Sequence, residues 1–303
     1  MSAGVVALAS FNADLIARVD RPLARGETVL ASASAIGPGG KGSNAAVAAA
    51  RQGAAVAVVA RIGSDDFGRM ALGLWQAEGI DTRHAEVVAG EGTGTAQILV
   101  YADGDNSIAV FPGAGAGLGA AHAEAAAATI GAARVVMGNC EVPLALTEAA
   151  FRIARAQGVA TVLNPAPARP LPDALLALCD VLTPNEGELR ALAGVGAAAP
   201  LQAAADQLLA RGARAVLATL GARGCQLFRT GQPAVAMAGW PVEVADTIGA
   251  GDTCTGALAA ALAHGLPLEA AARRANAAAA LSVTGHGAIG AMPTAAQVDA
   301  LLG

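Results

Sequence analysis

The chain has 303 residues, of which 54% are hydrophobic and only 3% are aromatic. Its core is therefore expected to consist mostly of Ala, Val and Leu, and its length fits one main α/β domain with a small appendage. The formal net charge is -5 and there is no basic run. This argues against a nucleic-acid-binding protein, because affinity for the phosphate backbone comes from clustered Lys and Arg. We expect a small-molecule partner.

Cysteine usage and hydropathy bear on the compartment. The four cysteines are far apart and form no C-x-x-C pair, so they predict neither a zinc site nor a secreted disulfide framework; they are Cys140, Cys179, Cys225 and Cys254. No apolar stretch reaches the ~18 residues of a membrane span, and no basic flank precedes the short apolar run at 5–9. We expect a cytoplasmic protein that does not contact a membrane.

The first third of the chain predicts a small antiparallel sheet. After a first core strand at 5–9, strands are predicted at 28–36, 95–102 and 107–111, and the last two are joined by a turn with Gly and Asp rather than by a helix. Such a sheet, built from segments at approximately 13–37 and 92–112, could act as a lid. A lid would exclude water from a phosphoryl transfer.

A glycine-rich segment, GPGGKGSN at 37–44, precedes a predicted helix at 45–51. It matches G-x-G-x-x-G, so a dinucleotide site must be considered. The match is weak, because the glycines of a dinucleotide fold follow the first core strand, and these follow a predicted lid strand. A Walker A loop is excluded, since position 35 is Ala and Lys41 is followed by Gly42.

From about residue 134 onward, strands alternate with alanine-rich helices. Strands are predicted at 134–138, 159–164, 180–183 and 214–220. This alternation is typical of βαβ units, and it predicts a doubly wound, mainly parallel sheet flanked by helices on both faces. Ligands of such sheets bind beyond the carboxyl ends of the strands.

Asn185 and Glu188 follow the strand predicted at 180–183, three residues apart at a helix start. They could hold a magnesium ion through water. A helix-capping box has the same form, and the spacing alone favours it. This segment alone does not decide between the two.

The segment DTIGAGDT at 246–253 leads into an apolar helix. Two glycines before its first turn allow backbone N–H groups to face a ligand, which makes an anion cradle at the positive end of a helix. A carboxylate beside it, Asp252, would serve as a proton acceptor for phosphoryl transfer. The alternative is that Gly249 and Gly251 only form a turn and Asp252 only caps the helix.

Taken together and in order, these segments resemble the ribokinase/PfkB carbohydrate kinase family. The resemblance runs from Ser10 to about Pro293 and rests on five segments: GGKGSN at 39–44, NPAPA at 164–168, TPNE at 183–186, TLGARG at 219–224 and DTIGAGD at 246–252. It implies one doubly wound α/β domain over residues 1–303 with a β-sheet lid, often shared between the subunits of a dimer. It also implies ATP as phosphoryl donor, with Mg²⁺.

The resemblance also implies site residues. The sugar hydroxyls would be held by Asn12, Asp14, Gly40, Lys41, Asn44 and Glu141. The carboxylate, amide and ammonium groups of this set suit a polyol. Without the family, an Asx-turn at Asn12 and Asp14 and a solvated charge at Lys41 would be the simpler interpretation. The nucleotide would lie along Asn185, Thr219, Gly221, Gly224, Gly251 and Asn276, with Asn185 and Glu188 near magnesium.

By the same resemblance, backbone carbonyl groups would bind a potassium ion; these belong to Asp246, Ile248, Ser282, Gly285 and Gly287. Two residues depart from the family pattern. Asn276 stands where a His often lies beside the adenine, and Ala291 stands where a serine hydroxyl often completes the cation site. We therefore expect weak potassium binding.

The resemblance implies transfer of the ATP γ-phosphoryl group to a primary hydroxyl, expected to be O5 of D-ribose. Asp252 would accept the proton, the amides of Ala250, Gly251 and Asp252 would stabilise the developing charge, and Lys41 would orient the sugar. Two alternatives remain: a kinase of another sugar or a nucleoside, and a sugar-sensing protein without catalysis, against which Asp252 and Gly251 argue. A homodimer through the lid is expected.

Overall fold

The computed structural model describes residues 4–303. The strands of this part of the chain are β1 (Val5–Leu8), β2 (Asn12–Arg18), β3 (Ala33–Gly39), β4 (Val56–Gly63), β5 (Asp81–Val88), β6 (Gly94–Val100), β7 (Asn106–Phe111), β8 (Val135–Asn139), β9 (Ala160–Asn164), β10 (Val181–Leu182), β11 (Ala215–Thr219), β12 (Cys225–Arg229) and β13 (Val235–Met237).

The helices are α1 (Lys41–Arg51), α2 (Asp66–Ala77), α3 (Ala120–Ala125), α4 (Ala127–Gly131), α5 (Leu144–Ala156), α6 (Asp173–Leu176), α7 (Glu186–Ala193), α8 (Leu201–Ala210), α9 (Ala250–Ala263), α10 (Leu268–Ser282) and α11 (Ala295–Leu302). Two short 3₁₀ helices cover Gly113–Gly117 and Gly221–Arg223. No helix within 4–303 is both long and apolar enough to cross a membrane.

Nine strands form the main sheet, in the order β13-β12-β11-β10-β9-β8-β1-β4-β5. All neighbours from β11 to β5 are parallel, whereas β12 and β13 add an antiparallel edge. The chain order reverses at β1, which lies between β4 and β8. A crevice opens at such a reversal, beyond the carboxyl ends of the strands.

Two helical layers cover the main sheet. Strand β1 sends Val5 and Ala7 into the core on one face and Val6 and Leu8 into the core on the other, because successive side chains of a strand point to opposite faces. The first layer includes the alanine-rich α1, α9 and α10. A Cβ atom added to Gly256 would lie 2.2 Å from the carbonyl oxygen of Ala45, so small residues let α1 and α9 approach closely.

A separate four-stranded sheet has the order β3-β2-β6-β7, and we call it the lid. Its strands come from two excursions of the chain, at 12–39 and at 94–111. Each excursion is an antiparallel pair, and the two pairs join through the parallel strands β2 and β6.

The predicted fold class is confirmed: a doubly wound, mainly parallel sheet is flanked by helices and accompanied by a small second sheet. The lid is not purely antiparallel as expected, because β2 and β6 begin two separate excursions. The strand expected at 28–36 begins only at Ala33, whose partner Arg18 ends β2, so the residues before it have no strand to pair with. That the chain forms a single domain stays a prediction.

Candidate active site

The site lies where the main sheet reverses its order. The chain leaves β1 through Ser10 into β2, and Asn139 ends the neighbouring strand β8. Helices α1 and α9 both begin here, each after a glycine with positive φ: 93° at Gly40 and 80° at Gly249. Left-handed backbone of this kind favours glycine, and it turns two helix N-termini towards the same crevice. The structure thus joins the two glycine-rich segments that the sequence singled out.

Asp252 lies in the first turn of α9 and is 6% exposed. Its Oδ2 accepts a hydrogen bond from the amide of Asn44 at 2.9 Å, and its Oδ1 accepts one from the amide of Asn164 at 3.3 Å. The carboxylate therefore bonds to two other elements, α1 and β9. The alternative that Asp252 caps α9 is wrong, because the residue sits inside the helix and Gly249 holds the cap position.

Burial raises the pKa of Asp252 to about 6, against the opposing effects of the Lys41 ammonium and the hydrogen bond from Asn44. The charges of Glu141 and Glu188 raise the pKa further. A carboxylate with such a pKa is ionised at neutral pH and can still hold a proton, which suits a general base. The site thus provides a buried proton acceptor.

Glu141 follows β8, and hydrogen bonds hold its carboxylate at the start of α1. Its Oε2 accepts hydrogen bonds from the Ser10 hydroxyl at 2.7 Å and from the Lys41 backbone N–H at 2.8 Å. The Ser10 hydroxyl also accepts from the N–H of Gly42 at 3.0 Å, and Asn139 Oδ1 accepts from the N–H of Glu141 at 2.8 Å. This network orients a second carboxylate at the crevice.

Lys41 is half-buried among four carboxylates. Burial lowers its pKa, but the negative charges outweigh that effect and the pKa is raised; they belong to Asp252, Glu141, Glu188 and Asp14. The simpler interpretation of Lys41 as a fully solvated charge is therefore wrong. The ammonium group is a hydrogen-bond donor and the carboxylates around it are acceptors, so together they can bind the hydroxyl groups of a polyol.

Asn12 and Asp14 lie in strand β2 of the lid, so the alternative of an Asx-turn is wrong. A Cβ atom added to Gly39 would lie 2.3 Å from Asp14 Oδ2, so Asp14 packs on the backbone of β3. Its pKa rises to about 6 through burial and the charges of Glu141 and Asp252, against the effect of Lys41. Asp14 thus faces the site from the lid.

The two polar atoms of the Asn44 side chain differ in their hydrogen bonding. Its amide nitrogen donates to Asp252, whereas its Oδ1 is buried and has no hydrogen-bond partner within residues 4–303. A buried acceptor without a partner is costly, so this oxygen is suited to accept a hydrogen bond from a ligand hydroxyl.

A cavity of about 200 Å³ adjoins the start of α9. Five of the six residues expected along the nucleotide line it: Thr219, Gly221, Gly224, Gly251 and Asn276. The remaining wall is largely apolar and includes Trp240, Val244 and Val283. The amide of Asn276 donates to the carbonyl oxygen of Ala238 at 2.8 Å. A mostly apolar cavity beside an anion cradle fits a nucleotide, with the nucleobase in the cavity and the phosphates at the cradle.

The cradle itself has two free donors. The N–H groups of Gly251 and Asp252 have no acceptor among residues 4–303, whereas the N–H of Ala250 bonds to the carbonyl oxygen of Thr247 at 3.3 Å. The first N–H groups of a helix lack intrahelical partners.

Asn185 and Glu188 form a capping box. Asn185 Oδ1 accepts from the N–H of Glu188, and Glu188 Oε2 accepts from the N–H of Asn185, both at 2.8 Å. Burial raises the pKa of Glu188, against the hydrogen bond from Asn185 and the charge of Lys41. Glu188 Oε1 takes no part in the box. A bridge between Asn185 and Thr219 places the box next to β11.

The residues expected around a potassium ion lie in two adjacent segments. The carbonyl oxygen of Val283 accepts from the N–H groups of Ala245 and Asp246 at 2.8 and 3.2 Å, and Asp246 Oδ2 accepts from the N–H of Gly287 at 3.0 Å. These bonds place Asp246 and Ile248 beside Ser282, Gly285 and Gly287. A Cβ atom added to Gly285 would lie 2.9 Å from the Cβ of Ala291, so Ala291 packs on this loop.

Three buried polar residues of the site were not predicted as site residues: Ser10, Asn139 and Asn164. Each ends or follows a strand of the main sheet at its carboxyl end. A polar residue at that position was the signal that could have identified them, because this edge carries the ligands of doubly wound sheets.

Comparison with known families agrees with this geometry. Residues 2–295 match the model of the pfkB family carbohydrate kinases. The chain belongs to this family. It is therefore a phosphotransferase with an alcohol group as acceptor, which excludes the alternative of a dinucleotide-binding protein.

Individual relatives cover nearly the whole chain. It is 40% identical to a ribokinase of Haemophilus influenzae over 95% of this chain and 94% of the relative, and 38% identical to a ribokinase of Bacillus subtilis over 98% and 99%. Among solved structures, it is similar to the Arabidopsis thaliana ribokinase complexed with ribose and ATP, with a TM-score of 0.91 and 31% identity over 100% of this chain and 99% of the other.

Proposed function

We propose that this kinase transfers the γ-phosphoryl group of ATP to O5 of D-ribose. The observation that carries the proposal is the buried Asp252, held by two amides between the crevice with Asp14, Lys41 and Glu141 and the cavity along Gly251. The relatives named ribokinase support ribose as the sugar.

In the proposed reaction, the sugar hydroxyl loses its proton to the carboxylate of Asp252 as its oxygen attacks the γ-phosphorus. The bond between the γ-phosphorus and the bridging oxygen breaks, and its electron pair leaves with ADP. The free N–H groups of Gly251 and Asp252 would donate to the transferring phosphoryl group. Ala250, expected to share this role, would first have to release Thr247.

On the sugar side, Lys41 and the unpartnered Oδ1 of Asn44 supply a donor and an acceptor for hydroxyl groups. Asp14 and Glu141 supply carboxylate acceptors. Asn12 lies in the same strand as Asp14, and the N-cap Gly40 lies beside Lys41. The set combines lid and core residues, so sugar binding would draw the two together.

We propose Mg²⁺ as the companion of ATP, held through water by Glu188 and Asn185. The oxygen donor set fits, because Glu188 has an oxygen outside the capping box and the box lies next to β11. When bound, the ion neutralises charge on the phosphates.

We further propose a potassium site made by backbone carbonyl groups of Asp246, Ile248, Ser282, Gly285 and Gly287. Its support is that the hydrogen bonds accepted by Asp246 Oδ2 and by the carbonyl oxygen of Val283 hold these segments together. The same loop touches the cradle, because a Cβ atom on Gly249 would lie 2.9 Å from the Cα of Ala288. Ala291 has no hydroxyl to contribute, so weak affinity is expected.

A homodimer through the lid is the proposed assembly. The lid exposes large apolar side chains, namely Ile36, Ile108, Val110 and Phe111, and such patches mark interaction surfaces. Light scattering should give a dimer mass that Ile108→Asp reduces to that of the monomer.

A cytoplasmic location is also proposed, since all four cysteines are buried and free.

A substrate panel tests the proposed function. ADP release is measured with ribose, deoxyribose, fructose, adenosine and 2-keto-3-deoxygluconate, and ribose should give the highest kcat/KM. Deoxyribose is the closest competitor, because the chain is also 33% identical to a deoxyribokinase of Salmonella typhimurium over 98% of both chains. A preference for a hexose or a nucleoside would overturn the ribose assignment.

A further inference from the structure

Asn164 ends strand β9 and is 5% exposed. It pairs in register with Asn139, the last residue of β8. The two asparagines have parallel roles: Asn139 accepts from the N–H of Glu141, and Asn164 donates to Asp252. Asn139 thus contacts the backbone of Glu141, whereas Asn164 contacts the Asp252 carboxylate directly.

The two amides on Asp252 are not equivalent. Asn44 donates to Oδ2 from α1 and has an unpartnered oxygen suited to a ligand. Asn164 donates to Oδ1 from the main sheet. When a sugar binds, Asn44 becomes shared between ligand and carboxylate, whereas Asn164 stays with the carboxylate.

We propose that Asn164 is a positioning residue for phosphoryl transfer. Its hydrogen bond from the main sheet fixes the plane of the Asp252 carboxylate, while Asn44 also binds the substrate. The proposal rests on the assignment of Asp252 as the base. With one donor on each oxygen, rotation of the carboxylate is blocked and each oxygen keeps a lone pair for the sugar proton. A base fixed in this way needs no reorganisation before it accepts the proton.

The space around Asn164 decides which substitution tests this role. A small cavity of about 10 Å³ lies beside it, lined also by Lys41, Asn139 and Thr255, and this is about the volume that one water molecule needs. Asn164→Ala would enlarge the cavity and admit water. Asn164→Leu and Asn164→Asp fill about the same space. Leu removes both polar atoms of the side chain, and Asp replaces the donor with a second carboxylate oxygen.

The pH profile separates positioning from a general packing role. The charged groups that face Asp252 are Lys41 from α1, Glu141 after β8, Glu188 from α7 and Asp14 from β2. These stay unchanged when Asn164 is replaced. A donor stabilises the charged carboxylate, so its loss moves the acid limb of kcat/KM to higher pH, and a second carboxylate at this place moves it further.

We expect Asn164→Leu to lower kcat about tenfold, to change both KM values by less than about twofold, and to move the acid limb up by roughly half a pH unit. Asn164→Asp should move it by more than about one unit. Thr161→Val is the matched control, because Thr161 is a buried polar residue at the other end of β9.

The proposal is overturned if Asn164→Leu has the kcat and pH profile of Thr161→Val. If Asn164→Leu does not fold, the acid limb of Asn164→Asp decides alone, and an unmoved limb overturns the proposal. Asp252→Asn, assayed in parallel, separates the two assignments. Normal turnover of Asp252→Asn would reject the assignment of Asp252 as the base. If Asp252→Asn loses turnover and Asn164→Leu does not, only the positioning role of Asn164 is rejected.

Discussion

The two sides of the active site are built differently. On the core side, Asp252 and Glu141 each accept hydrogen bonds from two other segments of the chain, and one of the donors to each belongs to α1. On the lid side, Asp14 packs on the backbone of a neighbouring strand in a four-stranded sheet that exposes Ile36 and Phe111. The core side thus suits chemistry that depends on fixed distances, and the lid suits capture of a substrate.

The largest effect should follow from changing the core side. Asp252→Asn keeps the shape but cannot accept the proton, so kcat should fall by on the order of 10²-fold or more. ATP binding, measured by calorimetry, should stay nearly intact. Near-normal turnover of a folded variant would remove Asp252 from the role of base.

A change on the lid side should affect binding more than chemistry. Asp14→Asn removes a carboxylate acceptor for a sugar hydroxyl, so the KM for ribose should rise about tenfold while kcat changes less than about threefold. Arg18→Gln, at the exposed end of the same strand, is the control. If Asp14→Asn lowered kcat as much as Asp252→Asn does, the division between the two sides would be wrong.

The pH dependence should involve both sides. Asp14 and Asp252 each have a pKa raised to about 6. In the proposed reaction both act as carboxylates, Asp252 toward the proton and Asp14 toward a sugar hydroxyl. As pH falls through about 6 they become protonated, so kcat/KM at pH 6 should be about fourfold below its value at pH 8. The acid limb of Asp14→Asn should be less steep, and an unchanged steepness would show that Asp14 does not contribute to it.

Potassium should have the smallest effect. If the ion orders the loop against Gly249, potassium chloride should raise kcat about two- to threefold over tetramethylammonium chloride at constant ionic strength. Ala291→Ser should lower the potassium concentration needed. A flat response in sodium-free buffer would mean that protein contacts alone order the cradle.

Much of the core side could be predicted from the sequence. The strands β8 to β11 and the turn before α9 were located by β-branched runs and by glycines, which act locally. Asp252 was a candidate base from its place beside two glycines, whereas Glu141 was identified only through family resemblance. The partners of both carboxylates could not be predicted locally, because the bonds from Ser10 and Asn44 join residues more than a hundred positions apart.

The lid was harder to predict. Strand β2 was missed as a strand, since its sequence NADLIAR contains Asn and Asp, which also favour turns. The parallel pairing of β2 with β6 depends on how two distant excursions meet, and no local pattern encodes it. The antiparallel edge of β12 and β13 was also missed, although these strands pair with their neighbours in the sequence.

The most direct test of the central claim is the position of the new phosphate. The enzyme is incubated with ATP, Mg²⁺ and ¹³C-labelled D-ribose, and the product is examined by ³¹P and ¹³C NMR. Coupling of phosphorus to C5, with one ADP formed per sugar, is the predicted result. A phosphate on another carbon, or ADP formation without a phosphorylated sugar, would contradict the account.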